Sequence, residues 1–188
     1  TRSHCDWSSD VCSSDLLGED FHTRGARIAE QITVLRELWT NEVVDFHGRW
    51  HNINSAGLNP LPVQRPIPVW LGAGSPEAPT PSDMILKRIA RLADGWCPNF
   101  KPDVKGRATI DRVNGFAKEY GRDQASIGLD GRLRTSSGTP EEWMSEAVAW
   151  KELGARYLSI ENRWGGLRTA SDHIIAMQRF KATVGFDI

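Results

Sequence analysis

The residues best suited to chemistry lie in "VWLGAGSPEA". An apolar run delivers Gly72, Gly74 and Ser75 shortly before a helical pattern, the arrangement that cradles a phosphate group. Glycines let backbone N–H groups approach an anion, a serine hydroxyl donates, and a helix N-terminus adds positive partial charge. The loop has neither the Gly-Lys-Ser/Thr ending of a Walker A loop nor the G-x-G-x-x-G of a dinucleotide fold. A tight strand-to-helix turn that needs glycine for backbone reasons explains the same letters equally well. Pro79 and Pro81 delay the helix and count against a compact phosphate turn.

A second candidate is "ADGWCPN". Trp96 and Cys97 end a short apolar run and could line a pocket at the carboxyl edge of a sheet, where α/β sites sit. As a nucleophile Cys97 is disfavoured, because no basic cluster or helix terminus adjoins it to lower its pKa. His22, His47, His51 and His173 never fall at metal spacing with a second ligand, and Gly48 between His47 and His51 argues for a hairpin. No metal site is expected. Glu141 and Glu142 read as charge at a helix start, and the sequence names no catalytic acid or base.

The elements that must position these residues follow from hydrophobic period. Residues 18–42 carry Ile28, Ile32, Leu35, Leu38 and Trp39 at three-to-four spacing, an amphipathic helix. Residues 43–57 hold two short β-branched and aromatic runs around His47-Gly48, a hairpin or extended excursion. "LNPLPVQRPIP" contains four prolines and reads as an extended connection. Ile67 to Leu71 is then expected to be a strand buried on both faces. A helix with Ile85, Ile89 and Leu92 on one face follows, then the strand "ADGWCPN". Next comes a helix with Ile110, Val113, Phe116 and Ala117 inward and Gly121 as its stop. "SIGLDGRLRTS" is a weaker strand. The next helix starts with Thr139 as N-cap and Pro140 at its first position, and Gly154 ends it. "RYLSIEN" is a last strand, before a helix starting near Ser171 or Asp172. Strand and helix alternate four times, which means a parallel sheet with right-handed crossovers. This pattern alone does not choose between an open doubly wound sheet and a closed barrel.

The first sixteen residues, "TRSHCDWSSDVCSSDL", differ from the rest. Cys5 and Cys12 match no zinc spacing, and no apolar h-region marks a secretory leader. Asp6 to Asp15 can be encoded by the end of a common sequencing-library adapter, whose last two bases fix leucine at 16. Residues 1–16 are therefore expected to be a translated cloning or sequencing scar, with 17–188 as the domain. Removing Arg2, Asp6, Asp10 and Asp15 from 23 basic and 24 acidic residues leaves the remainder effectively neutral. That balance gives no case for nucleic acid or an anionic membrane as partner. One cysteine, Cys97, remains, which fits a reducing, cytoplasmic setting. No apolar run approaches a membrane span.

Three phrases in order, "RGARIAEQITVLRELWTNEVVDFHGRWHNI", "PLPVQRPIPVWLGAGSPEA" and "ARLADGWCPN", resemble the luciferase-like monooxygenase family. The likeness continues through "GARYLSIENRWGGL" and "HIIAMQRF". It implies an α/β fold, the C-terminal portion of a (β/α)8 TIM barrel truncated before strand six, with "IPVWL" as that strand and residues 41 to 66 as the family's excursion. It implies FMN or the deazaflavin coenzyme F420 as cofactor, hydride transfer or oxygen activation on a small organic substrate, and a parent that could be a homo-oligomer. By the same analogy Gly72, Ala73, Gly74 and Ser75 contact the cofactor phosphate, with Trp96 and Cys97 on the neighbouring loop. Between Ser75 and the helix the chain departs from the family pattern, reading "PEAPTPSDMILK" where an alanine-rich helix usually begins.

Two other functions stay open on the residues: a non-catalytic flavin-binding or structural relative of the same fold, and an open α/β sugar-phosphate or nucleotide binder. Half a barrel leaves sheet edges and an apolar interior uncovered. The isolated chain is therefore expected to be inactive and poorly soluble unless it self-associates. Sedimentation with denaturant unfolding checks this, and a soluble monomer that unfolds cooperatively would contradict it.

Overall fold

The computed structural model describes residues 17–162 and 165–185, so the N-terminal sixteen residues and Trp164 lie outside it. The chain forms two compact units divided between Ile67 and Pro68. The proline-rich stretch 58–68 joins neither sheet, as expected of a segment short of N–H donors.

The first unit is a helix and a hairpin. Helix α1 (Arg24–Thr40) is followed by antiparallel strands β1 (Val44–His47) and β2 (Asn52–Ala56), with Phe46 opposite Ile53 and His47 opposite Asn52. Ile32 of the expected stripe is buried together with Val34, whereas Leu35 stays 39% exposed. A two-stranded hairpin is too small to cover the whole stripe. The turn is held by a carboxylate from α1. Glu30 accepts the backbone N–H groups of Arg49, Trp50 and His51 at 2.9, 2.9 and 2.8 Å, and the His51 Nδ1–H at 2.9 Å. A Cβ on Gly48 would sit 2.4 Å from Glu30 Oε1, so glycine there makes room for the carboxylate.

The second unit is a four-stranded parallel sheet: β3 (Trp70–Ala73), β4 (Gly95–Pro98), β5 (Gly128–Arg134) and β6 (Tyr157–Glu161), paired in chain order. Helices α2 (Asp83–Leu92), α3 (Val104–Glu119), α4 (Pro140–Glu152) and α5 (Ala170–Val184) alternate with the strands. Among these strands the order never reverses, so there is no switch point of the doubly wound kind. The expected start at strand six leaves room for only three strands in an eight-stranded barrel, and four are present.

The first strand of this sheet begins three residues later than expected. Pro66 and Pro68 have no N–H to pair, and Val69 is instead clasped by Asp94, whose Oδ2 accepts the Val69 N–H at 2.8 Å. Asp94 N–H returns a bond to the Val69 carbonyl at 2.8 Å. Nor is the strand buried on both faces, since Trp70 is 37% exposed. Its indole lies over the neighbouring strands, where a Cβ on Gly95 or Gly128 would come within 2.5 or 2.6 Å of the ring.

The core lies on the other face. Leu86, Ile89 and Ala90 of α2 and Ile110, Val113 and Ala117 of α3 pack there with Trp96, Leu129 and Trp150. A smaller cluster joins Leu133, Ala147, Phe180 and Val184. The predicted caps are present at Thr139, which forms a reciprocal capping box with Glu142, and at Gly121 and Gly154, both at positive φ. The last helix starts at Ala170, slightly before the expected Ser171 or Asp172, with Thr169 as its N-cap and Asp172, the third helical residue, as the reciprocal partner in a second such box.

Burial opposes ionisation of Glu30, but the His51 bond and the three backbone N–H donors outweigh it and hold the carboxyl at about 2 against an ordinary 4.5. A folded value below the unfolded one adds stability above pH 4.5, and that contribution is lost as pH falls from there through about 2. Protection of the Arg49, Trp50 and His51 amides, taken as the exchange rate relative to an unstructured chain at the same pH, should therefore fall as pH drops through that window. In Glu30→Gln the protection should be low on both sides of it.

Candidate functional site

Strand β5 sets the character of the site. Leu129, Gly131 and Leu133 point to the buried core, so the alternating Asp130, Arg132 and Arg134 must point to the opposite face. On β6, Ser159 and Glu161 join that polar face. Asp130 accepts the Ser159 hydroxyl at 2.6 Å and its backbone N–H at 3.0 Å. Arg134 pairs with Glu161 at 3.1 Å. A parallel sheet normally buries both faces, so a charged face ending at the strands' carboxyl edge marks the place for chemistry.

A cleft of about 840 Å³ opens at that edge, within the size range of small-molecule sites. Its lining includes Asn99, Lys101, Lys105, Arg132, Arg134 and Glu146. The four cations face three carboxylates, Asp103, Glu142 and Glu146, of which Asp103 and Glu142 are held in helix caps, so the balance of the wall favours an anion. Burial raises the Glu146 carboxyl above its ordinary range, against the pull of Lys101. Neither the cations nor Glu146 were singled out from the sequence.

The glycine loop adjoins the cleft through Pro76, Pro79 and Thr80, but it is not a compact phosphate turn. Gly72 and Ala73 are in strand β3, paired with Cys97 and Pro98. Gly74 has φ +86°, and a Cβ there would stand 2.5 Å from the Pro79 carbonyl, so backbone geometry alone requires glycine. Ser75 closes the loop on itself. Its N–H donates to the Ala78 carbonyl at 3.0 Å, and its Oγ accepts the Ala78 N–H at 3.0 Å. Helix α2 starts only at Asp83, so its N-terminus does not directly follow the glycines. Gly72 differs from Gly74: nothing in the chain comes within 4 Å of the Cβ it lacks. Its openness fits a close approach by a bound group.

Trp96 and Cys97 are on strand β4, not on a loop. Trp96 is 2% exposed and meets Phe100 edge-on at 5.6 Å, with Phe100 stacked on Trp150 at 5.9 Å. It belongs to the core between sheet and helices, not to a pocket wall. Cys97 points to the polar face, where its Sγ is 3.5 Å from Asp130 Oδ2. Burial and the Asp130 carboxylate push the thiol up to about 11 from 9.0. Among the described residues no group of three or more His, Cys, Asp and Glu is placed to hold a metal, and no helix is long and apolar enough to cross a membrane.

The family model for luciferase-like monooxygenases matches residues 10–179, and the chain belongs to that family. An uncharacterized protein of Mycobacterium tuberculosis is 35% identical over 130 residues, 66% of this chain and 41% of that protein. An F420-dependent glucose-6-phosphate dehydrogenase of Gordonia bronchialis is 33% identical over 110 residues, 57% of this chain and 30% of the relative. The chain thus spans less than half the length of these relatives. Among solved structures, a monooxygenase of Streptomyces bottropensis superposes with a TM-score of 0.64 at 16% identity, covering 90% of this chain and 63% of that one. An F420-dependent secondary alcohol dehydrogenase, solved with an F420–acetone adduct, gives 0.52 at 16% identity, covering 90% and 57%. Likeness at that identity speaks for the shared α/β fold alone.

The environment of Cys97 makes it inert. At pH 8 its alkylation, followed by peptide mass spectrometry, should run roughly a hundredfold slower than that of a thiol at the ordinary value. Asp130→Asn should speed it.

Proposed function

We propose that the chain is the C-terminal part of a (β/α)8 oxidoreductase that uses the deazaflavin coenzyme F420 and acts on a small organic substrate. The observation that carries this is the cation-lined cleft at the carboxyl edge of the parallel strands in a member of this family. Two of the similar proteins are named for F420, which favours it over FMN. When bound, F420 takes up or gives a hydride, and the protein supplies position and electrostatics.

The residues present fit such a group. F420 carries a phosphate and carboxylates, and Lys101, Lys105, Arg132 and Arg134 place positive charge around the cleft. Gly72 leaves the floor of the sheet open to a close approach. Phe100 and Trp143 supply apolar wall that limits water. Arg134 is already paired with Glu161, so Lys101, Lys105 and Arg132 are the residues assigned to the anion. The absence of a basic or acidic excess and the single cysteine of residues 17–188 support a cytoplasmic protein without nucleic-acid partners, and a homo-oligomer is our proposal for the whole enzyme.

Titration of F420 and of FMN into the chain, and into an N-terminally extended form, tests the assignment by fluorescence quenching. Quenching of F420 by the extended form is expected, weakened roughly tenfold or more in Lys101→Ala with Arg132→Ala. Quenching of FMN alone, or of neither, would overturn it.

A further inference from the structure

Asn99, the first residue after β4, touches three elements at once. Its backbone N–H donates to the Ala73 carbonyl at 3.0 Å, carrying the β3–β4 pairing one step past the strands. Its side-chain Nδ2 donates to the Gly74 carbonyl at 3.0 Å. Its Oδ1 accepts from Arg132 Nη1 at 3.0 Å. These partners fix the amide in one orientation, since a flipped amide would set NH2 against a guanidinium and oxygen against a carbonyl. The Gly74 carbonyl it grips belongs to the residue in the left-handed conformation, the point at which the loop turns away from the sheet. Beyond it, among the described residues, the loop is closed by the Ser75–Ala78 pair.

We propose that Asn99 is a positioning residue that ties the glycine loop to Arg132. It holds Gly74 and Ser75 in a fixed place relative to the cationic wall that receives the anionic end of the ligand. The ligand half of this proposal rests on the cofactor assignment above, and the loop half stands without it. Arg132 lines the cleft while one of its donors is committed to Asn99. An anion on Arg132 therefore meets a guanidinium whose orientation is set by the same amide that sets the loop. The strand carrying Arg132 and the loop carrying Gly74 are not neighbours in the sheet, where β4 lies between them. Asn99 is what spans that gap.

Two substitutions separate the contacts. Asn99→Ala removes both side-chain bonds and leaves the backbone bond to Ala73. Asn99→Asp keeps a partner for Arg132 but cannot donate to the Gly74 carbonyl. In both, amide exchange at Ser75 is expected to rise roughly tenfold, the effect of losing about one hydrogen bond, while exchange of residue 99's own amide stays unchanged. F420 binding by the extended form is expected to weaken roughly tenfold in Asn99→Ala, and further in Asn99→Asp, whose carboxylate neutralises Arg132. Unchanged exchange at Ser75 in both variants overturns the proposal, and so does a loosened loop with an unchanged F420 Kd. If the unsubstituted extended form fails to bind F420, the cofactor assignment falls, and the exchange at Ser75 alone decides whether Asn99 clamps the loop.

Discussion

The second unit depends on a sheet that buries one face and leaves the other polar. The buried face is filled to contact. Trp150 occupies the space of the side chain that Gly131 lacks, where a Cβ would lie 2.6 Å from its ring, and Phe100 stacks against it. Core interiors packed this closely resist added volume as well as lost volume, so the strands cannot rotate or slip register without clashing. That rigidity is what fixes Asp130, Arg132 and Arg134 on the opposite face, since in a strand a one-residue slip exchanges the two faces.

Most of the fold was legible because local signals and tertiary structure agree. The helix of residues 140–152 begins at Thr139-Pro140 and stops before Gly154, and each signal is satisfied by its own neighbours in the chain. Disagreement arose where a distant group overrode a local pattern. "IPVWL" looks like a strand by hydropathy, but the ladder needs N–H donors that prolines lack, and Asp94, twenty-five residues on, decides where pairing starts. Likewise the last helix starts at Ala170 rather than near Ser171 or Asp172, because Thr169 exchanges capping bonds with Asp172.

The site was less legible. Attention to glycines led to a loop whose Gly74 is required by its positive φ beside the Pro79 carbonyl and whose Ser75 closes on Ala78. The informative signal was alternation in "LDGRLR", where charges at every second position of a parallel strand can only mean one polar face. The cysteine and tryptophan of "GWC" fall on opposite sides of their strand by the same period of two. Asn99 was visible only as a letter after a proline. Its three bonds reach residues 25 to 33 positions away, and no spacing rule connects them.

The hairpin of the first unit carries a consequence for how this chain can vary. Glu30 recognises N–H groups that every residue except proline possesses, so the side chains of Arg49 and Trp50 are not what the carboxylate reads. The turn can therefore change its surface chemistry freely while keeping its shape. Positions 30, 48 and 51 have no such freedom: the acid takes a bond from the His51 ring and, with the Phe46 ring, fills the space left by glycine, so the three should be inherited together.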